Sequence, residues 1–148
     1  ALSGLEVGSK KLFVIASGDL LFQIVFAWEG AIAIAKPEDE GRFGSHRFLT
    51  CVPTQDVATA EFLCFHFLTE EGLEAIGKAS PGGAGRNRTL GLEALAKLEV
   101  PVPSYEKQLW FSDLLARVNA IRCLRSDTET GLNALLPSIL DKAFKGEL

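Results

Sequence analysis

Methionine is absent from the chain, position 1 included. A polypeptide without its initiator is expected to be processed, or to be a piece of something longer. Cysteine is scarce. Cys51, Cys64 and Cys123 are odd in number, far apart and never in a C-x-x-C pair. That spacing gives neither a zinc site nor a disulfide framework. The three read as buried or incidental thiols of a reducing cytoplasm. There are 2 histidines, His46 and His66, too isolated for a zinc hydrolase. His66, inside "FLCFHFL", reads as a packed core residue. No G-x-S-x-G elbow, no H-E-x-x-H, no Glu-x-Lys or Asp-x-Lys pair of a metal-dependent nuclease and no glycine-rich methyl-donor loop occurs. Neither a catalytic residue nor a metal or cofactor is expected.

A membrane span is also missing. The run "LFVIASGDLLFQIVFAWEGAIAIA" is apolar, but Gly18, Asp19, Glu29 and Gly30 cut it into strand-sized pieces. No signal-peptide pattern opens the sequence. The terminal "KGEL" differs from an ER-retention tetrapeptide in its second residue. The expected location is cytoplasmic.

What is present is enough for one domain and an appendage: 148 residues, 47% of them hydrophobic, with a formal net charge of −4. That charge counts against a free-standing nucleic-acid binder, although phosphate contacts depend on local patches rather than totals.

The first hundred residues mix β and α patterns. "KLFVIA" reads as a strand, "SGD" as a turn, and "LLFQIVFAW" as a second strand that turns tightly at Glu29 and Gly30 into "AIAIA". "KPEDEGRFGS" reads as an exposed loop, its acidic run as a solvated turn, and "HRFLTCV" as a strand. Asp56 is placed to cap a largely buried helix from Val57 through "VATAEFLCFHFL". A shorter amphipathic turn or two follows, then the glycine loop "SPGGAGRNR". After the loop come a short strand, a short helix and an exit stiffened by Pro101 and Pro103. The expected boundary divides a domain over 1–103 from a helical segment over 104–148.

Ser104 is placed to cap a helix with Glu106 in its first turn. Leu114, Val118, Ile121, Arg125, Thr128, Leu132, Leu135 and Ile139 recur at four, three, four, three. That is a heptad seam with polar residues at its centre. A helix over most of 105–145 would be about 60 Å long at 1.5 Å per residue. Gly131 and Pro137 predict a kink or break. The stripe either meets a partner or folds back on its own domain.

Two basic segments are candidate contacts. "SPGGAGRNRT" fails both the P-loop and the G-x-G-x-x-G patterns. It leaves Arg86, Asn87 and Arg88 on a glycine-rich backbone, where arginine can meet guanine or phosphate and asparagine can meet adenine. "GRFGSHRF" brings Arg42, His46 and Arg47 together as a second basic edge. The competing reading of each segment is a solvated surface loop.

The order of parts is informative. "GDLLFQIVFAWEGAIAIA", "SHRF", "EFLCFHFLTEEGLEAIGKASPGGAGRNRTL", "LAKLEVPVP", "EKQ" and "LLPSILDKAFKGEL" together resemble the DNA specificity subunit of type I restriction–modification systems. The ending is the most specific piece. The resemblance implies an α+β chain: a mixed α/β target recognition domain, here lacking its opening segment, and a long C-terminal helix in an antiparallel coiled-coil-like arm. It implies a non-catalytic component that reads one half of a bipartite site in double-stranded DNA. Methyltransferase subunits would dock on the helix, and restriction subunits would join them. Loops of the domain would read DNA, which is carried to Arg86, Asn87 and Arg88, then to Arg42, His46 and Arg47. Leu114, Val118, Ile121, Leu132, Leu135 and Ile139 would form the packing face. Only one domain and one helix are present, so the chain is expected to be the C-terminal part of a subunit, or a half-subunit that pairs with itself as a homodimer on an inverted repeat. The competing reading is an oligomerisation module without DNA readout.

Overall fold

The computed structural model describes residues 12–82 and 88–146. The chain divides into two compact units, Ala1–Leu109 and Trp110–Leu148.

The first unit begins with β1 (Leu12–Val14) and β2 (Leu20–Gln23), joined through the expected turn. Asp19 holds that turn: its Oδ2 accepts from the Ala16 N–H at 2.9 Å, and its carbonyl accepts from the Ala35 N–H at 2.8 Å. β2 alternates buried and half-buried residues, which places Leu20 and Phe22 in the core. It pairs antiparallel with β3 (Ile32–Ile34), with Leu20 opposite Ile34, and with β5 (Phe48–Cys51), with Leu20 opposite Cys51.

The hairpin between β2 and β3 is wider than the tight turn the sequence predicts, and β2 ends sooner. Gln23 stops it by accepting, through Oε1, from the backbone N–H groups of Val25 and Phe26, each at 2.8 Å. A 3-10 turn over Ala27–Glu29 follows, closed by Gly30 at φ 92°, a conformation that favours glycine. The expected loop 36–45 also holds structure. After a 3-10 turn at Pro37–Asp39 comes β4 (Phe43–Ser45), which pairs antiparallel with β1 as a separate two-stranded sheet.

α1 (Ala60–Leu68) starts later than expected. Asp56 sits at φ 61° in a turn closed on the Thr54 carbonyl, and Thr59 is the cap, accepting from the Phe62 N–H at 3.2 Å. The helix is less buried than its composition predicts, because Phe65 and Leu68 remain exposed. Thr69 ends α1 and caps α2 (Glu70–Lys78), accepting from the Gly72 N–H at 3.2 Å. This corner needs glycine: a Cβ on Gly72 would collide with the His66 carbonyl and lie 2.7 Å from Phe67 Cα. Beyond the glycine loop, 89–91 forms no strand, and α3 (Leu92–Leu95) is the expected short helix.

Leu20, Phe22 and Ile32 from the sheet, Phe67 and Ile76 from the helices, and Leu90 and Leu95 from the return segment make one core. Phe22 and Phe67 meet edge to face at 5.3 Å.

α4 (Tyr105–Lys145) is 41 residues long and crosses the boundary between the two units. It starts where Ser104 predicts, since the Ser104 carbonyl accepts from Lys107 and Gln108 N–H. The helix is bent but not broken, and it continues through Gly131 and Pro137. Within the second unit Leu114, Ile121, Leu132, Leu135 and Ile139 are exposed, and Val118 is half-buried. Among the described residues no helix is long and apolar enough to cross a membrane.

Candidate nucleic-acid interface

Two backbone hydrogen bonds tie one basic segment, and the residue just past the other, to Ile24 of the first unit. Ile24, just past β2, donates its N–H to the Arg47 carbonyl at 2.9 Å. Its carbonyl accepts from the Leu90 N–H at 2.8 Å. The β4–β5 link and the end of the glycine loop are thereby tied to the same backbone unit. Leu90 is also a core residue, 1% exposed, which fixes the loop's exit by packing as well as by a hydrogen bond.

Arg88 lies two residues before that anchor. Its guanidinium carbon sits 5.2 Å from the centre of the Trp28 ring, within the range of a cation–π contact. Trp28 is itself held, because its Nε1 donates to the Val25 carbonyl at 2.9 Å. On another side a Cβ built on Gly77 of α2 would come within 4.0 Å of an Arg88 terminal nitrogen. Arg88 is nonetheless exposed. Its partners in the sequence motif, Arg86 and Asn87, lie outside the described residues.

His46 and Arg47 form the two-residue link by which the chain leaves the β1–β4 sheet for the β3–β2–β5 sheet. Both are exposed, and the Arg47 N–H donates to Ser45 Oγ at 3.3 Å. Arg42 differs from them. It pairs with Asp39 at 3.4 Å, while its backbone carbonyl accepts from the Ile15 N–H. The acidic run beside it is engaged locally: Asp39 also accepts from the Lys36 N–H, Glu40 from the Ser17 N–H, and Glu38 faces Lys36 at 3.9 Å. These carboxylates bind this chain's own backbone and cations.

The rest of the unit offers little chemistry. An open apolar cleft of about 460 Å³ lies between β1 and β5, lined by Leu12, Phe13, Val14, Phe48, Leu49 and Leu92 with Thr50. His66 is half-buried among rings, stacked on Phe62 and edge-on to Phe67. Cys51 and Cys64 are half-buried, and burial pushes both thiols up; the Glu61 charge adds to the effect at Cys64. Among the described residues no group of three or more His, Cys, Asp or Glu could hold a metal ion.

Two residues were given no role from the sequence. Trp28 lies inside an apolar run and reads there as strand. Gln108 is fully buried and makes three hydrogen bonds to backbone, although only its place in "EKQ" marks it.

No protein-family model matches the chain, and no curated protein matches it. Among solved structures it is similar to the crystal structure of the HsdS subunit from Thermoanaerobacter tengcongensis, with a TM-score of 0.61 and 22% identity. The likeness covers 90% of this chain and 35% of that one, so the chain spans about a third of the length of the structure it matches. The chain therefore carries the fold of part of an HsdS subunit, an α+β body with small antiparallel sheets and a long C-terminal helix, in line with its resemblance to type I specificity subunits.

Proposed function

We propose that the chain is the DNA-reading, non-catalytic component of a type I restriction–modification complex. It would contact one half of a bipartite site with the loops around Ile24 and dock methyltransferase subunits through α4. The observation that carries this reading is that the backbones of Arg47 and Leu90, far apart in sequence, both bond Ile24, with Arg88 two residues before Leu90. The two exposed arginines would supply local positive charge that the net charge of −4 does not. The fold likeness and the sequence resemblance support the same class. The exposed apolar stripe of α4 supports a partner on the helix, either docked subunits or a second copy of the chain.

The test is to purify the chain with the modification subunits encoded beside it and to select duplexes from a random-sequence library. A single enriched half-site, or an inverted repeat of one, is the expected result. Its affinity should fall linearly with the logarithm of salt concentration. Assembly without any enriched duplex would leave the oligomerisation module as the function.

A further inference from the structure

We propose that Trp28 is a positioning residue that holds the Arg88 guanidinium ready to read a guanine edge in duplex DNA; this rests on the DNA-reading proposal above. A free arginine side chain loses much rotamer freedom when it is fixed in a groove. Arg88 has been restrained in advance. Leu90 locks the backbone two residues away, and the centre of the Trp28 ring lies 5.2 Å from the guanidinium carbon. The platform is rigid too, since Trp28 sits in a 3-10 turn and is tied through Nε1 to Val25.

A guanidinium resting on an aromatic ring keeps its N–H fork free. In the major groove that fork matches guanine O6 and N7. A phosphate can accept the same fork, but loss of a guanine N7 would not weaken that contact. The side chain is exposed, as reading a base edge requires.

The experiment uses the full chain assembled with its modification subunits and the duplex enriched by wild type. Each guanine is replaced in turn by 7-deazaguanine, which lacks the N7 acceptor. One replacement is expected to weaken wild-type binding about tenfold. Arg88→Ala and Trp28→Ala should both lose that sensitivity, and Trp28→Phe should recover most of it. If Trp28→Ala keeps the sensitivity, positioning is wrong while DNA reading stands. If Arg88→Ala keeps it, the base contact is wrong. If wild type enriches no duplex, both proposals fall together. A second measurement does not depend on the folding of Trp28→Ala. In a Trp110→Phe chain, Trp28 is the remaining tryptophan. Arg88→Ala should shift its fluorescence in the absence of DNA, and an unchanged spectrum would overturn the stacked arrangement.

Discussion

Gln108 Oε1 accepts a hydrogen bond from the Thr59 N–H at 2.9 Å, across 49 residues of sequence. The same amide donates through Nε2 to the carbonyls of Val57 and Pro103, each at 2.9 Å. The first turn of α4 is thus tied to the backbone that precedes α1 and to its own entry segment. Gln108 is 0% exposed, so its own amide has no water to turn to when one of these bonds is lost. Gln108→Leu fills similar space and leaves one N–H and two carbonyls unpaired. A cost of about 2–4 kcal/mol is expected, read from the urea midpoint. Gln108→Glu should be worse at neutral pH, because a buried carboxylate would face two carbonyls. That variant should recover relative to wild type as the pH falls, since burial and the carbonyls raise its folded-state pKa and protonation restores one donor.

Two glycines should respond oppositely to alanine. At Gly72 the new Cβ would meet backbone, the His66 carbonyl and Phe67 Cα, and neither can move without opening the corner between α1 and α2. The propensity gain of about 1 kcal/mol cannot offset that clash, so Gly72→Ala should lower the melting temperature. At Gly131 nothing lies within 4 Å of the Cβ position and the residue is inside α4. Gly131→Ala should add about 1 kcal/mol of helix stability, visible as greater helicity on heating.

Patterns of local origin were legible in the sequence. The turn at Asp19, the pairing of β2 with β3, the long helix and its apolar stripe follow from periodicity and turn chemistry, whereas periodicity leaves the exposure of that stripe open. What was not legible depends on contacts distant in the chain. β4 exists because β1 lies beside it, and its "FGS" has no strand pattern of its own. Gln23 ends β2 by folding its side chain onto Val25 and Phe26, a choice that an apolar run does not announce. Asp56 and Thr59 both suit a cap; Thr59 takes the position, and Gln108 binds its N–H from another element. Trp28 meets Arg88 only because Leu90 anchors the returning segment beside it.

The three thiols should separate by reactivity. Thiolate is the reacting form, and burial raises the Cys51 and Cys64 thiols, so less of each is ionised at a given pH. Cys123 is exposed on α4. Alkylation of the native chain at mildly alkaline pH should modify Cys123 first, and the other two should catch up only on unfolding, as peptide mass mapping would read. Two residues from Ile121, Cys123 lies about 200° round the helix from the seam. It should stay reactive in any assembly that packs through the seam alone.

The basic residues should differ in their salt dependence. The Arg42 charge is shared with Asp39, whereas Arg47 stands at an exposed link. In the assembled complex Arg47→Ala is expected to reduce the slope of log affinity against log salt by about one. Arg42→Ala should change it less, and Asp39→Ala should strengthen binding by freeing Arg42. Filter binding across a salt series decides between them. Equal slopes for Arg42→Ala and Arg47→Ala would remove the distinction.

The apolar stripe of α4 predicts its own test. Leu132 is 62% exposed and Leu135 53%, so neither contributes much to a core within the chain. Changing both to Asp costs about 0.5 kcal/mol each in helix propensity, too little to unfold the first unit. In a packed seam, however, the same change buries two carboxylates against apolar side chains, at a cost of several kcal/mol. Leu132→Asp with Leu135→Asp should therefore leave the melting of the isolated chain nearly unchanged and abolish co-purification with modification subunits or self-association. Sedimentation velocity on wild type and variant gives the comparison. An unchanged assembly would mean that the partner surface lies away from these two residues.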